Sequence, residues 1–157
     1  MEVPVKIVLD NWHGTVANAN KIFDSLTDEQ IQADVAPGRN SGTYLLGHLA
    51  TVNDRMLPLL GFGEQMHPEL NDVFLMSPDK SGKETPSIPW LRDYWKRTND
   101  ALNQHFSSLT PEQWMQRHNS VSEEDFAKEP HRNKLNVVLN RTMHLTNHLG
   151  QMVFLKN

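Results

Sequence analysis

The chain has 157 residues, 22% of them charged and 38% hydrophobic, with a net charge of −4 and no cysteine. That length suits one domain, expected over residues 1–157, with enough chain to close a core. The acidic balance argues against a nucleic-acid partner, no apolar run reaches the roughly 18 residues of a membrane span, and the missing cysteines exclude disulfides, thiolate nucleophiles and cysteine-ligated zinc.

The first predicted helix covers about 5–26. Val5, Leu9, Trp12, Val16, Ala19, Phe23 and Leu26 alternate steps of four and three, which draws one apolar stripe. The segment "SLTDEQI" follows, with Thr27 and Gln30 in capping-box register for a short extra helix. The second helix covers about 43–60. Ser41 is its N-cap candidate, and Leu45, Leu49, Val52, Met56 and Leu60 form its stripe.

Residues 61–87 come next, far longer than the about 2–8 residues that usually join helices in a bundle. "PELNDVFLM" within it predicts a short helix on the bundle end, and residues 77–87 read as a surface excursion. The third helix covers about 89–109, with Ser87 before it, Pro89 in its first turn, and Leu91, Tyr94, Trp95, Thr98, Leu102, His105 and Leu109 near one face. "SLTPEQW" then repeats the capping register of "SLTDEQI". The repetition reads either as an old duplication or as recurrent capping chemistry. The fourth helix covers about 133–155, with Val137, Val138, Arg141, His144, Leu145, His148, Met152 and Leu155 on its inner side. No segment alternates as a strand does. The expected fold is all-α, an antiparallel four-helix bundle with short extra helices in its connections.

Two imidazoles on an inner helix face need a reason. His144 and His148 stand four residues apart, so they project from one side of the fourth helix. His48, in "YLLGHLATV", sits at the edge of the second helix's inward stripe. If the two helices run antiparallel or cross, all three rings meet at one level. Three imidazoles without a carboxylate leave coordination positions free for water or substrate. Zn, Ni, Fe, Cu or Mn remain open as the ion. The alternative is that each ring is an ordinary packed or hydrogen-bonded histidine.

Other residues carry weaker signals. Gln151, three residues after His148, and Tyr44, one turn before His48, are the candidate catalytic groups. Asn140 is placed to support His144. Gly150 reads as a point of tight helix packing. His13, His105, His118 and His131 read as packing or surface residues, His67 as solvated, and Trp12, Trp90, Trp95 and Trp114 as core anchors. Asp54 and the run Glu123–Glu124–Asp125 read as solvated. No glycine-rich phosphate loop, GxSxG elbow or HExxH motif is present. The N-terminus carries no signal-peptide pattern, and a cytoplasmic location is the default expectation.

Two stretches, "PGRNSGTYLLGHLATVNDRML" with His48 and "RTMHLTNHLGQM" with His144 and His148, together resemble the DinB/YfiT-like superfamily. That family is similar in placing a histidine in its second helix and an HxxxHxGQ pattern in its fourth; here the latter is "HLTNHLGQ". The resemblance implies a four-helix metalloprotein with a divalent ion on His48, His144 and His148, and a homodimer. Known activities of that family include transferases and isomerases that use low-molecular-weight thiols, and the expectation for this chain is a metal-dependent transferase of that kind, or a hydrolase in which the ion activates water, acting on a small molecule. A non-catalytic metal-binding or stress-response module is the alternative.

Overall fold

Val5, Leu9, Trp12, Val16, Ala19 and Phe23, the stripe of the first helix, are all buried along α1 (Val3–Ser25). This computed structural model describes residues 2–156; Met1 and Asn157, the ends of the expected domain, lie outside the described residues. Among the described residues eight further α-helices follow: α2 (Asp28–Gln32), α3 (Gly42–Asp54), α4 (Met56–Leu60), α5 (Leu70–Phe74), α6 (Ile88–Ser108), α7 (Pro111–Trp114), α8 (Glu123–Lys128) and α9 (Lys134–Met152). A 3₁₀ turn (Val153–Lys156) ends the chain. Among the described residues there is no strand, only two isolated bridges, Asp34 to Ser41 and Arg117 to Asn133. The fold is all-α, as the apolar spacing indicates.

The expected second helix is broken at Arg55 into α3 and α4. Pro58 explains this, because it has no N–H for the Asp54 carbonyl and its ring crowds that carbonyl. Side-chain caps start the elements where the sequence places them. Ser41 accepts from Tyr44 N at 3.1 Å, and Ser87 accepts from Trp90 N at 3.4 Å. The helix α8 was not expected. Ser122 caps it, and Glu123, Glu124 and Asp125 fill its first turn, where negative charge favours the N-terminal dipole.

The echo between the two halves goes deeper than capping. Thr27 with Gln30, and Thr110 with Gln113, each form a complete capping box. Six residues after each threonine, a carbonyl accepts from the first residue of the next long helix: Ala33 O from Gly42 N at 3.0 Å, and Gln116 O from Lys134 N at 2.9 Å. The two bridges sit at the matching places. Recurrent capping alone does not require that match, so the fold repeats one unit of long helix, short helix, bridge and long helix.

The helix directions correct one expectation. Phe23 meets Trp95 and Trp12 meets Phe106, so α1 and α6 are antiparallel. Gly42 faces Leu155 and His48 meets His144, so α3 and α9 are antiparallel too. Asn53 bonds Asn99, and beyond α4 Phe62 stacks on His105, so the α3–α4 arm runs parallel to α6. It follows that α1 and α9, which pack together, also run parallel. A fully antiparallel bundle would need a short turn between the second and third long helices. The 61–87 connection instead carries the chain back to the starting end.

Asp54 anchors that connection and is not solvated. It is 0% exposed, and its carboxylate accepts from Met66 N at 2.9 Å, His67 N at 3.0 Å and the Tyr94 hydroxyl at 2.7 Å. Its burial and this bond push the Tyr94 hydroxyl pKa well above the usual tyrosine range. The expected short helix is α5. Residues 77–87 are mostly exposed but tethered, through Asp79 accepting from Ser41 N at 2.6 Å and Lys80 pairing with Asp34 at 2.6 Å.

Candidate metal centre

Gly47 prepares the site one residue before His48. A Cβ on Gly47 would lie 2.3 Å from the Phe74 ring, so only glycine lets α5 settle this closely on α3. Phe74 then offers its backbone carbonyl to His48, whose Nδ1–H donates to it at 2.8 Å. With that nitrogen engaged, the other nitrogen of His48 carries a free lone pair inward. The same device serves His148, whose Nδ1 lies 3.3 Å from the Gln151 amide oxygen one turn later in α9. Both acceptors are neutral oxygens, which fix ring orientation and tautomer in the way metal-bound histidines require.

The three rings converge. Nε2 of His48 lies 3.1 Å from Nε2 of His144, and Nε2 of His148 lies 3.2 Å from the same atom. One donor atom from each residue falls within 4.8 Å of the others, and no other His, Asp or Glu among the described residues joins the group. With the outer Nδ1 protons fixed on His48 and His148, inward lone pairs crowd each other unless a cation lies between them. At metal–nitrogen distances of about 2.05 Å, separations of 3.1–3.2 Å correspond to angles near 100° at the ion, close to tetrahedral or facial octahedral values. The residues therefore fit a metal ion, and His48, His144 and His148 could hold one.

The electrostatics keep the rings ready. Burial, followed by the neighbouring His148, His48 and Arg141, pushes the His144 pKa down to about 4. Burial also lowers that of His48, against the opposing pull of the Phe74 carbonyl. Neutral imidazole is the form that binds metal. The shift has a sign for stability as well. Between pH 6.5 and about 4 the unfolded chain binds a proton on His144 that the folded chain refuses. The metal-free protein should therefore lose stability as pH falls through that window and show no such loss above pH 7. Denaturant midpoints from pH 7.5 to pH 4 test this, with His144→Gln expected to flatten the slope; an equal slope in that variant would refute the assignment.

The Tyr44 ring stacks parallel to His48, at 6.1 Å and 14°, while its hydroxyl donates to Ser77 O at 2.8 Å. The hydroxyl is thus tied to the loop beyond α5, away from proton transfer. Asn140 is exposed, so it does not support His144. A Cβ on Gly150 would meet nothing within 4 Å; instead of tight packing, it faces an open groove between α1 and α9. His67 is not solvated: its ring packs edge-on against Trp90 and Tyr94, and it pairs with Glu69 at 2.9 Å. His105 stacks on Phe62, His118 is half-buried, and His13 and His131 are exposed. Trp12, Trp95 and Trp114 are buried core anchors, and Trp90 is half-buried. The Phe74 carbonyl was missed, though a glycine directly before a candidate ligand was its available signal.

The family model described as the DinB superfamily matches residues 11–152, which include all three histidines. No curated protein matches the chain.

Proposed function

The chain belongs to the DinB superfamily, and from that premise we propose that it is a metal-dependent enzyme acting on a small molecule, holding one divalent ion on His48, His144 and His148. The observation that carries this reading is a set of three converging imidazoles with no fourth His, Asp or Glu joining them among the described residues. An ion that only stapled the helices would be better served by a closed set of four. Zn, Ni, Fe or Mn suits the donors. Such an ion, when bound, supplies Lewis-acid activation of a thiol or a water molecule.

The chain's own residues bind and orient. Gln151 reaches the centre through His148 and also lines a cavity of about 420 Å³ with Gly38, Arg39, Asn40 and Phe154. The reaction we favour is transfer to a low-molecular-weight thiol. The sulfur forms a bond to an electrophilic carbon, the leaving group departs with its electron pair, and the thiol proton passes to solvent. Hydrolysis uses the same arrangement with water in place of the thiol. Zinc-loaded protein should turn over an electrophilic aryl halide with at least one of bacillithiol, mycothiol, glutathione or coenzyme A, and metal-stripped protein should not. Absence of thiol transfer and of ester hydrolysis would instead favour a structural role for the ion.

A homodimer completes the proposal. Val3 and Ile7 on α1, and Leu139 and Met143 on α9, are exposed. Each pair shares one helix face, and the parallel helices bring the two stripes alongside each other, continuing the groove past Gly14 and Gly150. Exposed apolar side chains gathered on one face suit an interface between two copies of the chain. Sedimentation should show a dimer that Ile7→Glu with Met143→Glu converts to a monomer; a wild-type monomer at micromolar concentration would contradict this.

A further inference from the structure

Arg141 belongs to the inner stripe of α9, where a guanidinium is unexpected. It stands one turn before His144, and its charge acts on both His144 and His48. Its Nε is shielded from solvent and meets no hydrogen-bond acceptor among the described residues. Across the helix pair, Arg55 occupies the break between α3 and α4, two turns after His48. Among the described residues neither arginine pairs with a carboxylate, although Arg92, Arg97, Arg117 and Arg132 all do.

These two side chains line one cavity of about 350 Å³ with Gln65, Asn119 and Ser120, and no acidic residue faces it. Burial, and after it the repulsion from Arg55, lowers the Arg141 pKa. Two like charges sharing a cavity without a counterion call for an anion from outside. The planar fork of a guanidinium matches the paired oxygens of a carboxylate or phosphate.

We propose that Arg55 and Arg141 form an oxyanion-binding subsite next to the histidine centre, which takes a carboxylate or phosphate group of the small-molecule substrate. As substrate recognition, this rests on the metal-dependent reading above; as an anion site, it stands on the cavity alone. The anionic end would anchor between the arginines while the reacting atom lies at the imidazoles. Ser120 and Asn119 add neutral donors at the rim. The site thus selects substrates bearing a negative charge close to the reacting carbon.

The test uses the full chain, first stripped of metal and then loaded with zinc, titrated with inorganic phosphate and separately with acetate. One of the two should bind saturably to the metal-free protein. Its affinity should fall at least about 10-fold in Arg55→Gln and in Arg141→Gln, and largely return in Arg141→Lys. Arg55 is exposed, so Arg55→Gln should fold normally even if Arg141→Gln does not. Neither anion binding, or equal binding in Arg55→Gln, overturns the proposal. The metal stays outside this readout: zinc bound without anion binding removes the subsite and leaves the centre, and anion binding without zinc does the reverse.

Discussion

His144→Ala is expected to lower zinc affinity by more than about 100-fold, with His48→Ala and His148→Ala close behind. His144 is the hub of the cluster, since its Nε2 lies within 3.2 Å of Nε2 on both other rings. Loss of a mere outer partner already costs metal sites about 10–100-fold, and a direct ligand counts for more. Two remaining imidazoles cannot define a facial set. The effect should also appear in stability. An ion that binds only the folded chain, at 1,000 times its dissociation constant, stabilises by about 4 kcal/mol. For a chain of this size that is roughly an 8–16 °C rise in melting temperature. Wild type should show the rise on adding zinc, and the three variants should not. The metal-free variants should melt near metal-free wild type, because all three rings are only half-buried. A zinc response retained in all three would place the ion elsewhere.

Asp54→Ala should be the most damaging substitution away from the histidines. It leaves two backbone N–H groups and the Tyr94 hydroxyl without their shared acceptor in a buried site. Bonds to a charged acceptor contribute about 1.5–3 kcal/mol each, and abandoned buried donors add a desolvation cost, so a loss of about 3–5 kcal/mol is expected. Tyr94→Phe removes one bond and should cost about 1–2 kcal/mol. The damage should reach the centre. Asp54 pins the start of the connection that delivers α5, and the Phe74 carbonyl at the end of α5 orients His48. Zinc affinity in Asp54→Ala should therefore fall together with stability, whereas Tyr94→Phe should keep its zinc. Urea unfolding and zinc titration on the same samples test both; a folded Asp54→Ala protein with wild-type stability would contradict the anchor.

Periodicity made the long helices legible. Every apolar position expected inside α1 is buried, and so are Leu45, Leu49, Val52, Met56 and Leu60 along α3 and α4. Capping registers were local enough to read, which is why Ser41, Thr27 and Thr110 begin their helices as expected. His144 and His148 were legible because fourfold spacing fixes a helix face, and His48 from its place at the edge of the inward stripe together with the family resemblance. What escaped depended on partners distant in sequence. Asp54 looks like a surface acid until the chain returns 12 residues later to bond it. Arg141 reads as one more stripe position until Arg55 appears across the cavity. Helix direction escaped for the same reason, since a long connection leaves the return path open. The break at Arg55 could have been read from Pro58.

X-ray absorption at the zinc edge on loaded protein tests the centre most directly. The geometry predicts three imidazole nitrogens at about 2.0–2.1 Å with the remaining coordination filled by solvent oxygen, and loss of one imidazole shell component in His144→Ala. A fourth imidazole, a protein carboxylate closing the shell, or fewer than three imidazoles would contradict an open three-histidine centre.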